Sequence, residues 1–371
     1  MSPIIESMKK HPMFQKFCLP VTETTDFRDA TYYLRNDGSF VFAEGYYHDQ
    51  DKPFSERMVI SHIVYVPWNE ANSPADYSGK MIFGQKYENI TKQVMSENPV
   101  EQFYPLQLQI YRRHDPKQPE VKPFYARYKA MVPCSELLYA FPQIHTLEAI
   151  CSMGESDEAA EKIRIITEAM AELLAIPVSQ IGISGSVSLG AYSNPHDLDY
   201  VIYGSVAEIR RITDYIYNLT SREEERKVWE FGKFWPLRYF EQVAGDKFMV
   251  CPFFSYTDEE EIPLRVFDAE STGTHTVEGT VCDHTHNCFN PSILTLENVT
   301  VDGKSISENL KLVIYHGGAR GDYIEGDKIR ACADLTNFTT YSPTAMKAGR
   351  KNIRETFQAI VVTNFDQISK I

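Results

Sequence analysis

Apolar and polar positions along this chain fall into two kinds of pattern. Ser39 to Tyr47 (SFVFAEGYY) and Met58 to Val66 (MVISHIVYV) are short runs rich in aromatic and β-branched residues, which predicts strands. Leu106 to Arg112 and Phe124 to Val132 predict a second pair, flanking a Pro- and Lys-containing connection at His114 to Pro123 in the manner of a long hairpin. Asn69 to Gly79 carries Pro, Ser and Asn and reads as a loop. From Ser156 the period changes. Ser156 can cap a helix, Asp157 and Glu158 suit the positive end of its dipole, and Ile163, Ile166, Met170, Leu173 and Leu174 form one apolar stripe before Pro177. A strand at Ile181 to Ser184 and another at Leu198 to Tyr203 follow. Next comes a helix from about Val206 with Ile209, Ile212, Ile216 and Leu219 inward. Strand-like patterning returns at Lys247 to Tyr256 and Ile262 to Phe267.

The remainder predicts five strands: Thr276 to Cys282, Ile293 to Val299, Leu310 to Tyr315, Lys328 to Leu335 and Phe357 to Thr363. Asn290-Pro291, Asp302-Gly303, Gly317-Gly318 and Gly326-Asp327 punctuate them. Five short strands in such a span suit a small closed barrel of the OB type, with a sandwich as the alternative. The expected class is α+β in three domains: a strand-rich 1–154, a mixed 155–268 and a barrel at 269–371.

Composition narrows the function. The chain has 371 residues, 43% hydrophobic and 24% charged, as in ordinary globular proteins. A net charge of −14 argues against a general nucleic-acid coat, which needs clustered Lys and Arg, while leaving room for a local basic groove. No stretch approaches the ~20 apolar residues of a membrane helix. Met1 to Pro20 lacks the continuous apolar core of a signal peptide, so the expectation is a cytoplasmic protein without a membrane partner. Seven cysteines spread from Cys18 to Cys332 predict reduced thiols rather than a disulfide framework. Cys282, His284, His286 and Cys288 alternate and would share one face of a straight strand. Zinc could use them, but such a row is too long to close one tetrahedron without bending, and a hairpin surface is the preferred reading.

The most informative stretch is Ile181 to Gly204, IGISGSVSLGAYSNPHDLDYVIYG. Gly185 and Ser186 end one strand and open a short helical segment, where backbone N–H groups can face a phosphate and glycine permits its close approach. Ser186 adds a hydroxyl. Asp197 and Asp199, two apart in a strand, project from one face. Paired carboxylates repel unless a divalent cation lies between them. Magnesium commonly bridges carboxylates to substrate phosphates.

Gly-Ser followed by Asp-x-Asp in an apolar strand resembles the signature of the DNA polymerase beta-like nucleotidyltransferase superfamily, over roughly Glu155 to Phe267. A stand-alone group of archaeal-type predicted nucleotidyltransferases looks similar over more of the chain, including Gly279 to Pro291 and Val313 to Leu335. The resemblance implies a palm domain in which Asp197 and Asp199 bind Mg2+ (or Mn2+) and are catalytic, while Gly185 and Ser186 hold the nucleoside triphosphate. The superfamily also supplies a third carboxylate from a later strand. The matching strand, Lys247 to Phe254, has none: Val250 or Cys251 stands where it is sought, and Asp246, Asp258 and Asp268 are the nearby acids.

Two functions follow as expectations. One is a magnesium-dependent transferase moving a nucleoside monophosphate to an acceptor hydroxyl of RNA, a protein or a small molecule. The other is a catalytically weakened nucleotide- or RNA-binding protein. Further candidates are His196, read mainly as a turn residue, and the cations Arg222, Arg226, Lys227, Lys233 and Arg238 interleaved with Trp229, Phe234, Trp235 and Tyr239. The last could hold phosphates or be a solvated surface with internal ion pairs. The loop His316, Gly317, Gly318, Arg320 and Gly321 either contacts a single-stranded nucleic acid or closes the barrel.

Overall fold

The computed structural model describes residues 2–48, 52–70, 73, 79–90, 102–114, 130–192, 197–243 and 245–371. Among these residues the fold is mixed α+β with three sheets. The chain divides into two compact units. The first comprises Met1–Ala43, His62–Glu97 and Ser135–Ser255; the second comprises Glu44–Ser61, Asn98–Cys134 and Tyr256–Ile371.

Central to the first unit is a five-stranded sheet in the order Lys227–Glu230, Lys233–Val243, Asp246–Tyr256, Asp197–Gly204, Ile181–Ile183. Two amphipathic helices accompany it. Glu158–Leu174 buries Ile163, Ile166, Met170 and Leu174. Its N-cap is Asp157, which accepts from the N–H groups of Ala159 and Ala160, whereas Ser156 belongs to a preceding 3-10 turn and bonds back to the Met153 carbonyl. The longer, charged side chain one residue on therefore takes the capping role expected of Ser156. Val206–Arg222 buries Ile209, Ile212, Ile216 and Leu219 as anticipated, and starts from a capping box between Ser205 and Glu208. The short helix Gln143–Cys151 lies against the Ile181–Ile183 edge strand so closely that a side chain at Gly182 would meet Gln143.

A second sheet runs Leu19–Pro20, Leu137–Phe141, Tyr32–Arg35, Phe40–His48, Met58–Pro67, Gln85–Asn89, Lys80–Ile82. The expected strands at Ser39 to Tyr47 and Met58 to Val66 are thus present within a residue. Leu106 to Arg112 is not a strand: it lies inside the helix Phe103–His114. Tyr104, Gln107, Ile110 and Tyr111 are its buried positions, and the polar Gln107 within that stripe conceals the helical period. Of the connection to Phe124, 115–129 lies outside the described residues, as does most of the loop after Asn69; Ala130–Pro133 is a strand pairing with Met58 to Ser61.

In the second unit, five strands close on themselves. Phe267–His286 pairs with Ser292–Val301, which pairs with Leu310–Ile314, then Ile353–Val362, then Lys328–Tyr341, which returns to Phe267–His286. All pairs are antiparallel except Leu310–Ile314 with Ile353–Val362. Val277, Leu294, Leu296, Leu312, Ile329 and Ile360 fill the interior. The five strands are those expected, but two are much longer. The first begins at Phe267, and from Asp268 to Thr276 it is mostly polar with no buried position, so no apolar alternation announces it. Ile262 to Phe267 is not a separate strand; it follows the 3-10 turn Glu259–Glu261, and Pro263 has no N–H to give a ladder.

Candidate functional site

Asp197–Gly204 alternates across its two faces. Leu198 and Tyr200 are buried, and the Tyr200 hydroxyl meets Thr167 Oγ1 at 2.9 Å on the helix Glu158–Leu174. Helix packing thus fixes the register, and Asp197 and Asp199 must share the opposite face. Asp197 is exposed and Asp199 half-buried.

The turn after Ile181–Ile183 is built around this face. Ser184 N–H donates to the Asp199 carbonyl at 2.7 Å, continuing the strand pairing, and Ser184 Oγ donates to the Ala30 carbonyl at 2.6 Å. Gly185 has φ +60°, and a Cβ there would lie 2.0 Å from Asp199 Oδ2. Both the left-handed backbone and the closeness of the carboxylate demand glycine. Ser186 caps the 3-10 turn Val187–Leu189 through its backbone, and its hydroxyl makes no capping bond there. Among the described residues, no backbone acceptor faces the N–H groups of Ser186 and Val187. The residue types expected to cradle a phosphate therefore stand beside the acidic pair.

A third group completes the cluster. Cys251, on the neighbouring strand Asp246–Tyr256, approaches Asp197 Oδ1 with its sulfur at 3.3 Å. One ligand atom from each of Asp197, Asp199 and Cys251 lies within 4.8 Å of the others, a spacing that a single cation could span. It is the one such group of three among the described residues. Burial pushes the Cys251 thiol well above its ordinary range; Arg238 opposes this and the two carboxylates add to it. The Tyr239–Val250 pairing places Arg238 beside Cys251 at the next position. Burial works against the Arg238 charge, but Cys251, Glu230, Asp199 and Asp197 outweigh it and hold the guanidinium above its usual value. Tyr32 is a neighbour that patterning alone did not single out: burial first, then Tyr65 and Asp199, push its phenol up.

The acids considered for a third carboxylate are engaged elsewhere. Asp246 pairs with Lys162 at 2.6 Å, five residues before Cys251 on an extended strand. Asp258 caps the turn Glu259–Glu261, and Asp268 accepts from the Tyr341 hydroxyl at 2.6 Å and from Lys351 at 3.0 Å. In donor chemistry the cluster is mixed: two hard carboxylates suit magnesium, and a thiol does not.

His196 lies outside the described residues. Three cations of the basic and aromatic group are held in ion pairs. Arg226 bridges Glu223 and Glu241, Lys227 meets Glu224, and Arg238 meets Glu230 while stacking 3.9 Å over Trp235. The alternating Cys282, His284, His286 and Cys288 do not gather. Bulges at Val281/Asp283 and Asp283/His286 break the alternation, His286 Nδ1 bonds the Tyr256 hydroxyl at 2.9 Å, and His284 Nδ1 accepts from Glu325 N–H at 3.3 Å. His316 is buried between the rings of Tyr104 and Phe365, with Nδ1 accepting from Gly318 N–H. Its loop is packed inside the second unit rather than displayed. All seven cysteines are free thiols. No helix among the described residues is long and apolar enough to cross a membrane.

Comparison of the chain with protein-family models, with curated proteins and with solved structures finds no match in any of the three.

Proposed function

We propose that the chain is a metal-dependent nucleotidyltransferase of the polymerase beta type, moving a nucleoside monophosphate from a triphosphate to an acceptor hydroxyl. One observation carries the reading: Asp199 lies against the Cα of Gly185, so the carboxylate pair and the Gly-Ser turn form one surface. The five-stranded sheet with helices Glu158–Leu174 and Val206–Arg222 is compatible with a palm. The closed ring, with its single parallel pair, supports the OB-type reading of the C-terminal strands and hence an RNA or other single-stranded acceptor.

In this reading the Ser186 and Val187 N–H groups and the Ser186 hydroxyl hold triphosphate oxygens. Asp197 and Asp199 hold Mg2+ or Mn2+, which when bound neutralises phosphate charge and steadies the entering and leaving oxygens. The acceptor oxygen bonds to the α-phosphorus, the bond to pyrophosphate breaks, and the hydroxyl proton leaves to solvent. Cys251 stands where the strand would otherwise carry a third acid, so among the described residues no carboxylate is placed beside the pair as a base for it. Metal-dependent pyrophosphate release from a nucleoside triphosphate, compared with an Asp197→Ala, Asp199→Ala variant, tests the proposal; equal release by both proteins ends it.

Cys251 in the place of a third acid favours a second reading, a transferase fold that binds nucleotide with little turnover. Tight, Asp-dependent triphosphate binding in calorimetry without pyrophosphate release is its signature.

A further inference from the structure

The donor set at the acidic pair does not suit the cation that the transferase reading supplies. Asp197 and Asp199 offer oxygens, but the third atom within 4.8 Å is sulfur. Magnesium demands oxygen ligands in near-ideal octahedral geometry, and thiolates select ions such as zinc, whose bonds to sulfur run at about 2.3 Å. We infer that Asp197, Asp199 and Cys251 form a mixed carboxylate–thiolate site for a thiophilic divalent cation, with Cys251 as a direct ligand.

Three features support this beyond the cluster itself. Cys251 is buried, yet its sulfur is directed at Asp197 Oδ1 rather than into apolar packing. Arg238 stands beside it on the adjoining strand, a cation that favours a thiolate and that is itself fixed by Glu230 at 2.6 Å and by stacking on Trp235. Gly185 leaves Asp199 Oδ2 no room to swing away toward the turn, since that oxygen already fills the place of a Cβ. The ligands are thus held by two neighbouring strands and a turn, as a pre-formed site requires. On binding, the cation displaces the thiol proton to solvent and a metal–sulfur bond forms, with no change of oxidation state. The inference rests on the site of the proposed transferase but not on turnover.

Cobalt(II) is the probe, added to the full chain. Bound through a thiolate, it gives a near-ultraviolet sulfur-to-cobalt charge-transfer band. The expected result is a band in the wild type that persists in a large molar excess of magnesium, is lost in Cys251→Ser and is lost in the Asp197→Asn, Asp199→Asn variant. Cys251→Asp supplies the missing carboxylate. It is expected to lose the band and to bind magnesium more tightly than the wild type, by about tenfold or more. Melting curves establish that each variant is folded; should Cys251→Ser unfold, Cys251→Asp carries the comparison. An absent band in the wild type, an undiminished band in a folded Cys251 variant, or ready displacement by magnesium overturns the inference. A band that depends on Cys251 together with no pyrophosphate release under any metal leaves the site standing and removes the transferase reading instead.

Discussion

Two ligand-rich stretches of this chain look alike on paper and differ in space. Asp197, Asp199 and Cys251 converge to within 4.8 Å, while Cys282, His284, His286 and Cys288, closer together in sequence, do not. Strand geometry accounts for the difference. Cys282, His284 and His286 follow one another along one bulged strand, over about 13 Å at ordinary strand rise, and Cys288 lies past its end, a spread wider than a coordination sphere. The acidic cluster takes two residues from one strand and one from its neighbour, so the spacing between strands, about 4.8 Å, sets the separation of the third ligand. A compact site in a sheet is assembled across the ladder, not along it.

The largest effect that would break this contrast is chemical. Replacing Asp197 and Asp199 by alanine is expected to abolish triphosphate-dependent pyrophosphate release while leaving the fold intact, since Asp197 is exposed and Asp199 half-buried; retained activity would put the chemistry elsewhere. Next comes Gly185→Val, which forces a β-branched residue to φ +60° and its Cβ onto Asp199 Oδ2. Denaturant unfolding should show a loss of about 2–4 kcal/mol, and a near-neutral result would mean that the turn relaxes freely.

On the other side of the comparison, His286 should act as a half-buried neutral histidine rather than a ligand. Burial pushes it down to about 4 from an ordinary 6.5, against the pull of Asp283 and with help from Lys311 and Arg354. The unfolded chain therefore takes up the proton first. Stability is complete above pH 6.5 and falls as the pH drops toward about 4, by about 2–3 kcal/mol when its partial exposure is allowed for. His286→Asn should flatten that part of the profile, and an unchanged slope would assign it to other groups. The smallest effect is expected from Cys282→Ser. With zinc added, it should change stability by no more than about 0.5–1 kcal/mol, whereas a zinc-dependent rise in melting temperature lost in this variant would restore the ligand reading.

Much of the framework could be read in advance because periodicity and burial agreed. The stripes of Ile163 to Leu174 and Ile209 to Leu219, the acidic strand and the centres of the five C-terminal strands are cases in which one face is apolar and the other is not. Misreadings arose where a buried polar group interrupted the pattern. Gln107 within a helical stripe made LQLQI look extended, and the mostly polar first half of Phe267–His286 has no apolar face to betray it. At the site, Gly185, Ser186, Asp197 and Asp199 could be picked out from residue type and spacing. Cys251 was visible only as the residue standing where an acid was expected. Its approach to Asp197, and the neighbouring roles of Arg238 and Tyr32, depend on strand pairing between distant segments, which local patterning does not encode.

The parallel pairing in the C-terminal ring imposes an order on folding. Lys311 lies opposite Ala359, so the third strand must wait for the fifth, which is reached only after the long fourth strand has turned back. During synthesis, a nascent chain holding only the first three strands carries Leu310–Ile314 as a bare edge, liable to pair with a neighbouring chain until Ile353–Val362 has emerged to cover it.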